Sequence, residues 1–294
     1  MSDLSARGFE MARDLPELLA IVGRARATSD PHAFLHTGGL QWLLRRSGRE
    51  TFNVVRWLDG DALAGFSVDD AGYVMTLAAG PSLDQYLALL EHAEGRVRQR
   101  GTGAIEVSAW DDDRQLLAAL ALRGYEPSGT YGHELVRELG DESTVPRLPA
   151  GFSMRWLEPQ LDDAYVELHR AAWSTRAPSD YDRRLHASVT SMPDFERKLV
   201  PIVAAPDGRL AAYCIAWFDP RTQTVEIEPL GTHPDYRRLG IGRAIVEEVV
   251  RRSAARGATS VMVWGAHRND AAIHLYESAG LRSRRVLREY KRAL

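Results

Sequence analysis

The sequence predicts a mixed α/β fold written twice, in two tandem domains, and three observations predict it. The chain has 294 residues, about twice the ~150 residues of a usual domain. Its least periodic stretch, GDESTVPRLPAG from Gly140 to Gly151, falls near the midpoint and has the Gly, Pro, Ser and acidic content of a linker. The halves on either side run in register. GTGAIEVSAW starts at Gly101 after LLEHAEGRVRQRG, and GATSVMVWGA starts at Gly257 after IVEEVVRRSAARG. The same 156-residue offset pairs Gly124 of ALRGY with Gly280 of YESAGL. Upstream, DGDALAGFSV near Gly60 and DGRLAAYCIAWF near Gly208 match at an offset of 148, so the second copy has gained eight residues between these landmarks. The expected division is a domain over 1–140, a linker over 141–150 and a second domain over 151–294.

The elements follow from periodicity. In the second half Phe152 to Trp156 is an expected strand. Leu161, Ala164, Tyr165, Leu168 and Ala172 have helical spacing, which predicts a helix to Trp173. A polar stretch containing prolines then runs to Lys198. Ile202–Ala205 and Leu210–Phe218 are apolar strands joined by Pro-Asp-Gly. Asp219-Pro220 turns the chain into a strand over Thr224–Thr232. Gly240–Arg256 is a helix, Ser260–Trp264 a strand, Asp270–Ala279 a helix and Val286–Tyr290 a last strand. In the first half Gly72 to Ala78 reads as a strand that passes through Ala79-Gly80-Pro81-Ser82 directly into a helix over Leu83–Gln99. Strands grouped with interspersed helices give a mixed sheet.

Composition excludes several functions. Lys plus Arg is 37 and Asp plus Glu is 40, a net charge of −3, which argues against a dedicated nucleic-acid binder. The single cysteine, Cys214, rules out an intramolecular disulfide and a Cys-rich zinc site; it sits in an apolar strand as packing. No metal site is expected. The start, MSDLSARGFEMARDLPELL, does not read as a secretory signal, and no apolar run approaches the ~20 residues of a membrane span. The expectation is a cytoplasmic protein with no membrane and no nucleic-acid partner, as a monomer or homodimer.

Chemistry concentrates in Glu228–Ala244, EPLGTHPDYRRLGIGRA. A strand ends at Thr232, a His-Pro turn and two arginines follow, then Gly240-Ile241-Gly242 opens a long helix. Glycines admit a ligand close to the backbone, and unpaired N–H groups with the helix dipole attract an anion. Arg237, Arg238 and Arg243 add formal charge, so a phosphate or pyrophosphate fits. The string is neither a Walker loop nor a dinucleotide fingerprint, since it lacks Gly-Lys-Ser/Thr and a third glycine. It resembles the acetyl-CoA motif of the GNAT N-acetyltransferase superfamily, Arg/Gln-x-x-Gly-x-Gly/Ala after a strand, here Arg237-Arg238-Leu239-Gly240-Ile241-Gly242. NDAAIHLYESAGL, from Asn269 to Leu281, is similar to that family's C-terminal block.

The resemblance implies two tandem GNAT-like domains, each a mixed, mostly antiparallel sheet flanked by helices, and acetyl transfer from the co-substrate acetyl-CoA to a primary amine. It implies that Leu230 and Thr232 offer backbone groups to pantetheine, and that Arg237, Arg238, Gly240, Ile241, Gly242 and Arg243 surround the pyrophosphate. Arg251 and Arg252 read as a solvated helix face. Asn269 is a helix N-cap and, in the family reading, also a CoA contact. Tyr276 resembles the general acid for the leaving thiolate; on a helix beside Leu275 it is otherwise core packing. Glu226, Glu228 and Leu230 share one strand face, with Val225 and Ile227 on the other. Pro229 removes a ladder donor and so marks a bulge or splay. Glu228 at its mouth is the favoured base and Glu226 the second candidate, against a surface salt-bridge face. His233 reads as a shaper of the turn.

The amine pocket is expected from Trp173, Tyr181, Arg183, Arg184, His186, Met192 and Phe195, with Trp217 and Trp264 as aromatic walls. That mix suits an acceptor with an acidic or planar part, and the acceptor expected is a small-molecule amine. The first half lacks Arg-x-x-Gly-x-Gly, and the 156-residue offset pairs Tyr276 with Leu120 and Asn269 with Asp113. It is expected to be a degenerate copy without an acetyl-CoA site, which completes the acceptor cleft or stabilises the chain. His32, His36 and Trp42 are candidate pocket residues there, histidines in such places being more often at the surface. Transfer to a protein or peptide amine and a non-catalytic acyl-CoA sensor are the alternatives.

Overall fold

The computed structural model describes residues 4–28, 35–46, 52–70, 73–78, 82–101, 103–140, 145–174, 178–266 and 269–294. The expected linker residues 141–144, the connection 79–81 and His32 lie outside them. The first half runs β1 (Leu4–Gly8), α1 (Met11–Thr28), α2 (Thr37–Leu44), β2 (Phe52–Asp59), β3 (Ala62–Asp70), β4 (Tyr73–Ala78), α3 (Leu83–Gln99), β5 (Ala104–Trp110), α4 (Arg114–Leu122) and β6 (Glu126–Glu138). The second runs β7 (Ser153–Trp156), α5 (Asp162–Trp173), α6 (Arg183–Thr190), β8 (Pro201–Ala204), β9 (Leu210–Asp219), β10 (Thr224–Thr232), α7 (Ile241–Ala255), β11 (Ser260–Ala266), α8 (Asp270–Ser278) and β12 (Arg282–Ala293). The polar stretch before Lys198 thus contains a helix that apolar periodicity did not reveal. Only His186 and Val189 are buried on α6, and its start is marked by Asp182, which accepts the Leu185 N–H at 2.8 Å.

The duplication is visible in the backbone. Gly101 and Gly257, Gly124 and Gly280, and Gly60 and Gly208 all have φ between 59° and 87°, the left-handed conformation that glycine adopts at helix ends and turns. Tyr125 N donates to Leu120 O as Leu281 N donates to Tyr276 O, each at 3.0 Å. Asp113 and Asn269 both cap their helices, accepting from Leu116 N and Ala272 N.

Among the described residues the strands form one twelve-stranded sheet in the order β1-β2-β3-β4-β5-β12-β6-β11-β10-β9-β8-β7. The pairings are antiparallel except β4 with β5 and β10 with β11. The centre is an exchange. After β5 the crossover through α4 places β6 one strand away, and β12 of the second half fills the gap. After β11 the crossover through α8 places β12 one strand away, and β6 of the first half fills that gap. The terminal strand of each half is therefore flanked on both sides by the other half's strands. Inside this junction Arg285 forks onto Glu134, Nε to Oε2 at 2.8 Å and Nη2 to Oε1 at 2.9 Å, with both side chains buried.

Among the described residues three apolar clusters hold the layers. One packs α3 and α4 on β5 through Leu89, Leu90, Val97, Val107 and Leu120. One packs α7 and α8 on β9–β11 through Ile245, Val249, Val225, Ile227, Val261 and Leu281. The third, on the opposite face, joins the halves: Leu18, Ile21, Leu40, Trp42 and Phe66 pack with Leu157, Tyr165, Tyr181, Tyr213 and Trp217. Each fully buried side chain of this size removes enough apolar surface to favour folding by roughly 1.5–3 kcal/mol.

Candidate active site

The site is built on β10. Val225 and Ile227 enter the cluster under α7, so Glu226 and Glu228 face the other way, toward α2, as strand alternation requires. Pro229 breaks the ladder to β9: Ile227 pairs with Ala216 and Leu230 with Cys214, and the register shifts between them. On its other edge β10 pairs with β11 only from Thr224 to Glu226. Residues 227–232 therefore run clear of β11, and the two strands splay. Leu230 and Thr232 lie in the splayed part.

A cavity of about 420 Å³ opens at the splay. It brings Glu226, Glu228, Leu230, Asn269 and Tyr276 together, with Trp173 and Trp264 from the second half and Trp42, Arg45, Arg46 and Trp110 from the first. Glu226 is 2% exposed and Glu228 partly buried. Burial pushes the Glu228 carboxyl up to about 7, with Arg45 pulling the other way. Burial, with the charge of Glu228 added, pushes Glu226 up to about 8. A salt-bridge face at the surface is thus not what these carboxylates form. Burial also raises the Tyr276 phenol, helped by nearby Cys214 and Glu228, so its proton is held at neutral pH. Cys214 is fully buried and burial raises its thiol, which fits inert packing.

The pocket differs from expectation in its walls. Tyr181, His186 and Met192 are core residues on the face shared by the halves. His186 contacts Asp162 at 3.1 Å, and Tyr181 stacks on His169 at 3.7 Å between centroids. Arg183 pairs with Asp163, and Phe195 packs edge-on to Trp217. Arg184 is exposed. Their place is taken by α2 and by Trp110, whose ring meets Trp264 edge-on at 5.5 Å. Sequence reading named Trp42 but missed Trp110, Arg45 and Arg46. The signal available was Gly38-Gly39 beside a tryptophan and two arginines, an unusual start for a helix. His36 is fully buried, contrary to a surface placement, and caps α2 by accepting the Gly38 N–H at 3.0 Å.

Outside the cavity lies the loop 233–240, which carries the residues expected at the pyrophosphate. His233 accepts the Asp235 N–H and shapes the turn. Arg238 and Gly240 have φ of 66° and 81°, and α7 starts without a side-chain cap, which leaves its first N–H groups for a ligand. A Cβ on Gly242 would crowd Leu275 at 3.2 Å. Arg237 is committed differently from expectation: its guanidinium donates to Thr232 O at 3.2 Å and Ala172 O at 2.9 Å, and so ties the loop to α5. Arg243 is exposed and pairs with Glu247 at 2.7 Å. Arg251 and Arg252 both hold Glu248, and Arg252 also stacks over Trp156. A splayed strand leading to an uncapped helix start fits acetyl-CoA, whose pantetheine is a ladder-like amide chain and whose pyrophosphate is an anion. Among the described residues no cluster suits a metal ion, and no helix is long and apolar enough to cross a membrane.

The chain is similar to known acetyltransferases. The model of the acetyltransferase (GNAT) family matches residues 159–281. A mycothiol acetyltransferase of Streptomyces coelicolor is 26% identical over 284 residues, covering 90% of this chain and 86% of that protein. The [ribosomal protein bS18]-alanine N-acetyltransferase of Escherichia coli is 30% identical over 127 residues, 40% of this chain and 82% of that one. In fold, a tandem GNAT protein from the clavulanic acid biosynthesis pathway superposes over 99% of this chain and 98% of its own, with a TM-score of 0.68 and 16% identity. The motif, the splayed strand, the doubled architecture and the relatives converge: the chain belongs to the acetyltransferase (GNAT) family and is an acetyl-CoA-dependent N-acetyltransferase with two tandem GNAT-like domains.

Proposed function

We propose that the protein acetylates a small-molecule primary amine at one site, in the domain over 151–294, with Glu228 as general base and Tyr276 as general acid. The observation that carries this reading is the meeting of both side chains in one cavity at the splay of β10 and β11. Acetyl-CoA supplies a thioester carbonyl open to attack. Backbone groups of Leu230 and Thr232 hold the pantetheine. Gly240, Ile241 and Gly242 present N–H groups to the pyrophosphate, Arg238 and Arg243 add positive charge, and Arg237 keeps the loop in place. Asn269 caps α8 and lines the cavity beside the thioester. Glu228 takes a proton from the incoming ammonium, directly or through water, which frees the nitrogen lone pair before the N–C bond forms. Tyr276 gives its proton to the sulfur as the C–S bond breaks, and the second proton of the bonded nitrogen passes back to the phenolate as the amide forms. The tryptophan-walled cavity, about 420 Å³ in volume, favours a small acceptor over a protein chain. The domain over 1–140 is read as a copy without an acetyl-CoA site: Leu120 stands where Tyr276 stands and is buried in its core.

Release of CoA thiol across a library of primary amines tests the reading. Calorimetry is expected to give one acetyl-CoA per chain, and Tyr276→Phe is expected to lower kcat by ~10²-fold or more with acetyl-CoA affinity kept. Two binding sites would refute the degenerate first half. Tight binding with no turnover on any amine would make the protein an acyl-CoA sensor.

A further inference from the structure

The first half reaches the catalytic carboxylates through two glycines. Glycine is the least favourable helix residue after proline, yet Gly38 and Gly39 lie in the first turn of the eight-residue helix α2. The reason lies across the interface between the halves. A Cβ on Gly38 would fall 2.1 Å from Cβ and 2.3 Å from Cγ of Trp217. A Cβ on Gly39 would fall 2.7 Å from Oε2 and 3.0 Å from Oε1 of Glu226. Trp217 in turn donates its indole N–H to the carbonyl of Glu228 at 2.6 Å. His36 Nδ1 lies 3.5 Å from Glu226 Oε2. The helix is pinned in this pose by a reciprocal pair: Gln41 Nε2 donates to Asp194 Oδ2 at 2.6 Å, and the Asp194 N–H donates to Gln41 Oε1 at 3.0 Å.

We propose that Gly38 and Gly39 are positioning residues for the catalytic centre of the other half: they let the start of α2 lie flush on β9 and β10, where it fixes the side chain of Glu226 and, through Trp217, the backbone of Glu228. The proposal rests on the acetyl-transfer reading above. It accounts for a half that has lost the phosphate loop and acid yet keeps a helix-weakening Gly-Gly against the other half's strand. The groups facing Glu226 are the Gly39 amide and His36 from α2, Arg26 from α1, Glu134 from β6 and Glu228 on its own strand; Arg45, after α2, faces Glu228. The Gly39 amide favours the ionised form of Glu226 and Arg45 that of Glu228, so displacing α2, with Arg45 at its end, shifts both carboxyls toward the neutral form.

The test uses the full chain with Gly39→Ala, and Gly95→Ala as a matched helix substitution, since nothing lies within 4 Å of a Cβ at Gly95. Gly39→Ala is expected to lower kcat about tenfold or more, to keep the acetyl-CoA KM within about twofold, and to move the acid limb of the kcat/KM profile up by about half a pH unit. Gly95→Ala is expected to do none of these. Gln41→Leu adds no bulk and releases α2 from Asp194; it is expected to give the same split in weaker form and keeps the test open should Gly39→Ala not fold. Infrared titration of the buried carboxyl C=O band reads the pair without turnover. If the band shifts in the variants while no amine is acetylated by the parent, the positioning stands and the transfer reading falls. If transfer proceeds and neither band nor limb moves in either variant, the positioning is overturned.

Discussion

Glu228 and Glu226 are two residues apart on one strand and differ in how far they are covered, and the proposal of Glu228 as base rests on that difference. Both line the cavity, but Glu226 is 2% exposed beneath α2, whereas Glu228 is only partly buried. A base acts only when ionised, and burial holds Glu228 at about 7. The kcat/KM is therefore expected to rise about tenfold per pH unit on the acid side and level off above about 7. Glu228→Gln is expected to remove this limb and lower kcat by about 10²–10⁴-fold, while Glu226→Gln keeps a limb. The opposite pattern in the two pH–rate profiles would transfer the base to Glu226. At this scale the sequence was informative where structure is local: the Glu-x-Glu-Pro face, the Gly240 turn into α7 and the Asn269 cap are each a few adjacent residues. It misled where a side chain answers to a distant partner. Arg237 reads as a phosphate ligand, yet its guanidinium bonds two carbonyls, and His36, a candidate pocket residue in a place where histidines are more often at the surface, lies fully buried beside Glu226.

Among the elements, helix limits were legible because caps are written locally. The helix Leu83–Gln99, capped by Ser82, is bounded as its pattern predicts, as is the strand Thr224–Thr232, and α6 was hidden because its buried face includes a histidine. The partners of β6 and β12 were not legible. Periodicity tells a strand which face is buried, but both terminal strands carry similar patterns, and nothing local says which gap each fills. The buried fork of Arg285 on Glu134 ties the exchanged pair together. Removing the carboxylate strands a buried guanidinium, which also contacts Trp110 and lies 3.5 Å from Asp112. Glu134→Ala is expected to cost about 3–5 kcal/mol, whereas replacing both partners with apolar residues of similar volume costs far less. Urea unfolding of the single and double variants measures the difference, and equal losses would show that the fork is not what registers β6 on β12.

For the whole molecule, the exchange means that a chain cut between the halves does not yield two independent folds. In residues 151–294 alone, β11 loses β6, and β12 loses both of its neighbours, β5 and β6. A one-strand gap would remain between β11 and β12, with two rows of unpaired backbone groups along it. The face covered by α1 and α2 would also expose Tyr165, Tyr213 and Trp217, and the cavity at the splay would lack Trp42 and Trp110. The second half therefore needs the first although every residue of the acetyl-CoA motif is its own. Expressed alone, it is expected to aggregate or to melt without a cooperative transition. Co-expressed with residues 1–140 as a separate chain, it is expected to recover a single cooperative melt and the release of CoA thiol, because each terminal strand then finds the gap that only the other half leaves open. A soluble, active 151–294 fragment would show instead that β12 can close the sheet from its own side, and that the exchange is a consequence of linkage and not a requirement of the fold.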